Sequence, residues 1–420
     1  MKKIKLPITI VLTSIFVAGI LENCTKEKAA PSPLIIVSVT TDAGVDLNSA
    51  TQATNIPLNA FVIVAFDQPV DTTQANLSSI SLSANGAVVP SKITVDGSTV
   101  TIKSKTNLTT GTVETVSVTS ELKGTNGAGT TAADITFKTL GHTYVAPPQA
   151  SNQLSYFSFS GNMNDEVGTH TPAAAAIKDL TFTTDRFGFA GLTGDFNGST
   201  SLVEIPNGDQ YLTNNSFTFS FWVKANSTKN GQFVLGLGAW YGFYMELAAD
   251  WTWLRFTNQF TGAGNVTSTE DNFFYGNGVT GSNGGWQGWT FQSTVAGGVG
   301  ATYFQDKWAH VVSTYDAATK LATIYINGEK VKQQDFNLWS ENNLERTITG
   351  VKFAGNLTGG GNALALGFIQ GSQNRIITDT WADPANLYSE HFQGQMDDIR
   401  IFKVALTATE VSTLYSAEKP

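Results

Sequence analysis

The sequence predicts an all-β protein with two β-sandwiches, and three observations support this fold class. The 420-residue chain contains 40 glycines and only 14% charged residues, a composition typical of β proteins with many turns. Short β-rich runs separated by turn residues recur along the chain. All nine tryptophans and all eleven tyrosines follow residue 143, and so sharp a change in composition predicts a boundary between two domains.

The strongest local signal is a hairpin in the second half of the chain. The β-rich runs Leu321–Ile326 and Glu329–Gln333 are separated by Asn327 and Gly328. Asn-Gly favours a type I′ turn, which needs positive φ at both central residues. Because both faces of Leu321–Ile326 are largely apolar, we expect a central strand that is covered on both sides.

This hairpin belongs to a set of three motifs. They are Phe217–Lys224, Trp308–Asp316 with Tyr325–Gly328, and Phe392–Phe402 with Ala405–Tyr415. In this order they resemble the laminin-G-like, or concanavalin-A-like, jelly-roll domains. The resemblance implies a jelly-roll sandwich over residues 152–418, with the first and last strands as neighbours. Thr407 and Glu410 also form a capping box, which predicts a short C-terminal helix.

Residues 34–140 predict a separate sandwich. The β-rich runs are Leu34–Thr40, Phe61–Phe66, Ser79–Ser83, Thr99–Lys103, Thr115–Val118 and Asp134–Lys138. About seven short strands in a segment of this length are typical of an immunoglobulin-like fold. Val64–Asp71 and Ile135–Thr139 resemble the bacterial Ig-like domains of envelope proteins. We expect this domain to act as a spacer, followed by a stiff linker at residues 141–151.

The N-terminus predicts export and lipid attachment. A basic start and the apolar run Leu6–Leu21 are typical of a secretory signal over residues 1–23. Cys24, the only cysteine, lies where bacterial envelope lipoproteins are cleaved and acylated, and residues 24–33 then form a tether. The alternative is an ordinary signal peptide with an incidental cysteine. The lipoprotein interpretation places the protein in the cell envelope, on the outer membrane or the cell surface.

Aromatic residues outside the family motifs indicate a ligand surface. Residues 236–304 combine aromatic side chains with Asn, Gln and Asp, and a second extension spans 375–391. We interpret both as loops that decorate the fold, and long loops are often functional. The candidate glycan-binding residues are Trp240, Tyr241, Trp251, Trp253, Trp286, Trp289 and Trp381. The alternative is that these side chains belong to the core.

Acidic and amide side chains suggest a calcium site. Asn162 and Asp165 lie in the first loop of the jelly roll, and Asp397 precedes its closing strand. Calcium prefers oxygen ligands of this kind, and neighbouring first and last strands would bring them together. Because Asp397 and Asp398 are adjacent on a strand, we expect them to point to opposite faces. The alternative is ordinary turn chemistry by Asn and Asp.

The sequence gives little indication of catalysis. Glycoside hydrolases use two carboxylates that flank the scissile bond, and only Glu246 and Asp250 place single acids near a candidate strand. The net charge of −9 argues against nucleic-acid binding. The leading hypothesis is non-catalytic binding of a polysaccharide or glycoconjugate. The alternatives are a protein–protein adhesion or assembly module and, less favoured, a glycoside hydrolase.

Overall fold

The computed structural model describes residues 30–142, 145–278, 289–355 and 361–420. These described residues form two compact units: those up to residue 51, with 60–106 and 115–136, make the first, and those of 52–59, 107–114 and 137–420 make the second. The division therefore runs through the predicted Ig-like segment, while the predicted boundaries at residues 140 and 152 stay a prediction.

The N-terminal segment is a β-sandwich. Over residues 36–139 the strands are β1 (Ile36–Thr41), β2 (Ala53–Ile56), β3 (Val62–Phe66), β4 (Ile80–Ala84), β5 (Ala87–Val88), β6 (Ser91–Asp96), β7 (Thr99–Ser104), β8 (Val113–Val118) and β9 (Ala133–Thr139). One sheet has the order β1-β3-β7-β6 and the other the order β2-β9-β8-β4-β5. Burial alternates along β3, where Val62, Val64 and Phe66 are buried, as expected of strands with one face on a core. The predicted sandwich is confirmed.

The C-terminal segment adds a larger sandwich. Its elements are β10 (Gln153–Phe157), β11 (Ile177–Lys178), β12 (Thr181–Thr183), β13 (Thr193–Asn197), β14 (Leu202–Ile205), β15 (Phe217–Ala225), β16 (Gln232–Leu237), β17 (Phe243–Leu247), β18 (Leu254–Thr261), β19 (Thr267–Phe274), β20 (Trp289–Gln292), β21 (Ala309–Asp316), β22 (Leu321–Ile326), β23 (Glu329–Asp335), β24 (Gly350–Val351), β25 (Leu364–Leu366), β26 (Gln393–Phe402) and helix α1 (Ala408–Glu418).

Two sheets enclose the core of this sandwich. Sheet I has the order β12-β13-β26-β15-β21-β22-β23-β20, with β10 also paired to β26. Sheet II has the order β11-β14-β25-β16-β17-β18-β19, with β24 on β18. Residues such as Phe219 and Phe221 of sheet I and Phe243 and Phe256 of sheet II belong to one buried cluster between them. The pairing of β10 with β26 confirms that the first and last strands are neighbours.

The predicted hairpin is present in sheet I. Asn327 and Gly328 have φ of 52° and 81°, as a type I′ turn requires. Strand β22 lies between β21 and β23, and its residues Ala322–Ile326 are buried. The prediction of a central strand covered on both sides is confirmed.

The segment 236–304 differs from the predicted long loop. It consists largely of β17, β18 and β19, which extend sheet II as an antiparallel meander. The alternation of apolar and polar residues is difficult to recognise in the sequence because Asn258 and Asn272, which are amides, occupy buried positions. The extension therefore adds strands to the sandwich.

The closing strand β26 contains a bulge that changes the direction of one carboxylate. Ser220 pairs with Arg400 and Trp222 with Asp397, so two residues of β26 lie opposite a single residue of β15. The extra residue, Asp398, has a φ of 45°. Bulges reorient side chains in this way. The expectation that Asp397 and Asp398 point to opposite faces is therefore wrong, because both carboxylates bind Arg186.

Five buried charged residues form an ion network on the outer side of sheet I: Arg186, Asp397, Asp398, Arg400 and Glu418. Arg186 Nη1 donates to Asp397 Oδ2 at 2.5 Å, and its Nη2 donates to Asp398. Arg400 Nε donates to Glu418 Oε1 at 2.7 Å. The network thus joins the loop at Arg186, the closing strand and the last turn of α1.

Burial and the neighbouring charges shift the pKa values of the acidic groups in this network. Burial beside Asp398 raises the pKa of Asp397. Burial also acts to raise the pKa of Asp398, but Arg186 and Arg400 outweigh it and hold that pKa at about 2. Burial likewise raises the pKa of Glu418, against the opposing charges of Arg400 and Arg186. Two arginines therefore share this low-dielectric site with three acidic side chains, so removing a cation from it should be costly.

Helix α1 covers this network. The side chain of Thr407 accepts from Glu410 N while Glu410 caps Thr407 N, which confirms the predicted capping box. Leu406 and Val411 are buried and anchor the start of the helix. At its end, Glu418 Oε2 accepts from the indole of Trp222 at 3.0 Å. Among the described residues, no helix has the length and apolar character needed to cross a membrane.

We expect Arg186→Met to lower the free energy of unfolding by about 3–5 kcal/mol, because it leaves two carboxylates buried without their cation. Chemical denaturation of the full chain measures this. The matched control is Arg375→Met, which breaks a half-exposed ion pair with Asp383 and should cost less than about 1 kcal/mol. Equal effects of the two substitutions would contradict the role of the network.

A buried carboxyl predicts pH-dependent stability of the N-terminal sandwich. Glu114 on β8 is fully buried, and its carboxylate oxygens have no hydrogen-bond partner within the described part of the chain. Burial raises the pKa of Glu114 to about 7 from an ordinary 4.5. The folded state holds this proton more tightly than the unfolded state. The contribution of Glu114 to stability should therefore be largest below pH 4.5 and be lost as the pH rises through 7.

Glu114→Gln removes this titration while keeping the shape of the side chain. We therefore expect the melting temperature of the variant relative to wild type to increase between pH 5 and pH 8. The comparison cancels the contributions of other titrating groups. A difference between the two proteins that does not change with pH would refute the assignment.

Candidate glycan-binding site

The candidate site lies on the outer face of sheet II. Along β17, Phe243 and Met245 point into the core, whereas Tyr244 packs in a separate cluster on the opposite face of the sheet. The same alternation places Arg255 and Asp271 of the neighbouring strands on the outer face. Three adjacent strands therefore present polar and aromatic side chains side by side.

These side chains form the floor of an open groove of about 320 Å³. The lining residues come from sheet II and from two segments beside it: Phe233, Trp240, Tyr244, Arg255, Thr257, Thr269, Asp271, Ile369 and Trp381. Aromatic walls and a small number of polar groups are typical of ligand sites.

Two tryptophans form one side of the groove. The ring centroids of Trp240 and Trp381 are 6.1 Å apart and their planes differ by 24°. Trp240 lies on a short turn after β16, where Gly238 takes a φ of 61°. Trp381 lies on the second extension and is 40% exposed. The structure thus brings together two predicted aromatics that are 141 positions apart in the sequence.

A buried glutamine holds the Trp381 segment in place. Gln370 Nε2 donates to the carbonyl oxygens of Ile377 and Ala382, at 2.7 and 2.9 Å. Its Oε1 accepts from Ile377 N at 3.1 Å. Because Gln370 is 2% exposed, these bonds are protected from water and fix the turn that carries Trp381. No sequence pattern indicated this residue.

Arg255 is the central cation of the groove. Its Nη2 donates to Glu246, and its Nη1 lies 3.7 Å from Asp271 Oδ2. The guanidinium carbon lies 5.1 Å from the ring centroid of Tyr244 and 5.5 Å from that of Trp253, distances at which cation–π attraction operates. Burial acts to lower the pKa of Arg255, but Tyr244, Glu246 and Asp271 outweigh it and raise the pKa.

The aromatic surface continues beyond the groove. Trp253 packs edge-on against Phe273 with centroids 5.0 Å apart, and Phe273 stacks on Tyr275 at 5.6 Å. At the other end, Tyr241 stacks on Trp240 with centroids 6.2 Å apart. Of the predicted candidates, the structure places Trp240, Tyr241, Trp253 and Trp381 in or beside the groove.

The remaining aromatic candidates lie elsewhere. Trp251 is 9% exposed and belongs to the hydrophobic core of the sandwich. Its backbone adopts a φ of 62°, and its indole packs against Gly300. It is therefore a core residue, and its selection as a ligand contact is corrected. Trp286 lies outside the described residues, as does the side chain of Trp289, whose backbone begins β20.

The suggested calcium ligands already have protein partners. Asp165 accepts from Gly168 N at 2.9 Å and from His170 N at 3.0 Å. Burial acts to raise its pKa, but the hydrogen bonds of His170 and the backbone outweigh it and lower the pKa. Asn162 accepts from Asn164 N at 2.8 Å, and Asp397 binds Arg186. The backbone bonds that Asp165 and Asn162 accept are the turn chemistry expected as the alternative to a calcium site.

Within the described residues, no group of three or more His, Cys, Asp or Glu side chains is arranged to hold a metal ion. Calcium binding stays a prediction, and the hydrogen bonds of its proposed ligands do not support it.

Comparisons with known proteins identify the N-terminal sandwich. Residues 40–139 match the family model described as a bacterial Ig-like domain. No curated protein matches the sequence of the chain.

Among solved structures, the ligand-binding domain of botulinum neurotoxin serotype D, in complex with N-acetylneuraminic acid, aligns with 64% of this chain at 11% identity and a TM-score of 0.39. The binding domain of serotype G aligns with 63% at 17% identity and a TM-score of 0.37. The aligned part is 51% of each of those chains, and likeness at this level carries no inference about the ligand here. The family match is specific to one segment: residues 40–139 form a bacterial Ig-like domain.

Proposed function

We propose that the protein binds a glycan non-catalytically in the groove that has Trp240 and Trp381 along one side. The observation that carries the proposal is the pair of nearly parallel indoles, 24° apart, beside a polar floor. Pyranose rings present C–H faces that stack on flat aromatic side chains, while their hydroxyls need polar partners. The exposed Thr269 hydroxyl and the half-buried Asp271 carboxylate supply such partners.

The arrangement of the acids supports binding without hydrolysis. A hydrolase needs two carboxylates that flank the glycosidic bond. The acids nearest the groove, Glu246 and Asp271, instead flank Arg255 and are engaged by its guanidinium. Burial raises the pKa of Glu246, and the charge of Arg255 opposes that rise. The contacts with Arg255 make the two acids part of an ion-pair cluster within the proposed binding surface.

A protein-binding role is the second candidate. Leu387 is 70% exposed and Tyr388 is 96% exposed, and both follow Trp381 on the same extension. Exposed apolar side chains of this kind mark interaction surfaces. The glycan is favoured because the indoles line a groove, whereas protein partners usually occupy flatter apolar patches.

The proposed setting is the bacterial cell envelope. The signal-like segment 1–23 and Cys24 support a lipid anchor, and the Ig-like domain would separate the glycan-binding domain from the membrane. Because acyl chains supply the membrane affinity, Cys24→Ala should move the protein from the membrane fraction to the soluble fraction. Asn23→Ala is the neighbouring control and should remain membrane-bound. Unchanged sedimentation of Cys24→Ala would contradict the anchor.

The glycan proposal is tested by truncating the indoles. Trp381→Ala and Trp240→Ala should weaken retention in affinity gels of laminarin, galactomannan, xyloglucan or dextran by about 1–3 kcal/mol each, the range for a lost aromatic stacking contact. Trp381→Ala should leave the melting temperature nearly unchanged because its side chain is exposed.

Trp251→Ala is the matched control, since it removes a buried indole. It should lower the free energy of unfolding by about 3–5 kcal/mol, and the folded fraction should bind as wild type does. Wild-type retention of both groove variants would exclude this groove as the site. Release of reducing sugars from the polysaccharide would favour the hydrolase.

A further inference from the structure

The charged groups around the groove point to the class of glycan that it accepts. Arg255 and Asp271 line it, Glu246 pairs with Arg255, and the charges of Glu246, Lys229 and Arg255 act on Glu390. Resting on the proposed function, we infer that the groove binds an uncharged glycan and discriminates against sugars that carry a carboxylate, such as sialic or uronic acids.

The central cation is not available to an acidic ligand. Two guanidinium nitrogens of Arg255 face Glu246 and Asp271. Its Nε is shielded from solvent and has no hydrogen-bond partner in the described part of the chain. Tyr244, Trp253 and Phe273 surround the guanidinium carbon at 5.1–5.5 Å. A carboxylate of a sugar would have to displace Asp271 or Glu246 to reach this cation.

The second cation is committed elsewhere. Lys229 Nζ donates to the carbonyl oxygen of Gly198 at 2.8 Å. Glu390, whose charge acts on Lys229, also experiences the charge of Glu246. Around Arg255, by contrast, two carboxylates share one guanidinium, so this ion-pair cluster carries an excess of negative charge.

Asp271 is the group through which this excess acts on a ligand. Its Oδ1 accepts from the Thr257 hydroxyl at 2.5 Å, which fixes the carboxylate at the floor, and 27% of the side chain remains exposed. An ionised carboxylate accepts hydrogen bonds from sugar hydroxyls. The same charge repels a ligand carboxylate, and like charges across an interface disfavour binding. The fixed group therefore favours neutral sugars in both respects.

The test compares each neutral polysaccharide with its own carboxymethylated derivative. Full-length protein is run through affinity gels of laminarin, galactomannan, xyloglucan and dextran and of their carboxymethyl forms, at matched ionic strength. Where a neutral gel retains the protein, we expect the carboxymethyl form to bind on the order of tenfold more weakly. Asp271→Asn keeps an oxygen that can accept from Thr257 but removes the charge, so it should reduce this difference. Thr269→Val is the control and should leave the ratio unchanged.

Each outcome decides a different statement. Suppose that a carboxymethyl gel retains wild type as strongly as the neutral gel or more strongly, and that Trp381→Ala abolishes this retention. That result would overturn the inference while leaving glycan binding in the groove intact. An Asp271→Asn variant that keeps the full discrimination would overturn it as well, because the charge would not be its cause. Immobilised lactose and sialyllactose serve as two further gels. If wild type is retained by none of the polysaccharides in either form and by neither of these two sugars, the result counts against the proposed function itself, and the inference fails with it.

Discussion

The second sandwich depends on the ion network beneath helix α1. Strand β26 pairs with β10, β13 and β15, and its two aspartates hold Arg186 while Arg400 holds Glu418. Desolvating these charges costs several kcal/mol per ion, so the network is favourable only when every partner is in place. It therefore links the closing strand, the loop at Arg186 and the C-terminal helix into a cooperative unit.

The two sheets of this sandwich have different outer faces. On sheet I, α1 and buried aromatics cover the ion network, and the rings of Trp222, His310 and Tyr415 pack against one another with centroids 5.1–6.0 Å apart. Burial and the nearby arginines lower the pKa of His310 to about 3, which keeps it neutral beside these cations. The outer face of sheet II instead carries the open groove lined by Trp240 and Trp381. The covered face stabilises the fold, and the open face is available for a ligand.

Charge in the groove is arranged differently from charge in the ion network. Arg255 is only partly buried and is surrounded by the aromatic rings of Tyr244, Trp253 and Phe273, which it orders. Its two carboxylate partners hold it on the outer face of the sheet. An aromatic surface arranged around a fixed cation is preorganised, and preorganisation reduces the entropy lost when a ligand binds.

The amino-acid sequence by itself determined the elements whose signals are local. The Asn327-Gly328 turn, the Thr407 capping box and the alternating strands of the Ig-like domain follow from backbone preferences and side-chain periodicity that neighbouring residues supply. The sequence also marked the aromatics beyond residue 236 and within 375–391 as candidates for ligand binding. It could not separate the core residue Trp251 from the groove residue Trp240, because burial depends on distant strands.

Only the tertiary structure decided which charges meet and which indoles share a groove. Arg186 meets Asp397 and Asp398 across more than two hundred positions, and the bulge that turns both carboxylates toward it arises from pairing with β15. Trp240 and Trp381 become neighbours through the folding of sheet II and the hydrogen bonds of Gln370. Pairing between distant strands and the desolvation of buried charges are properties of the folded chain, so no local pattern contains them.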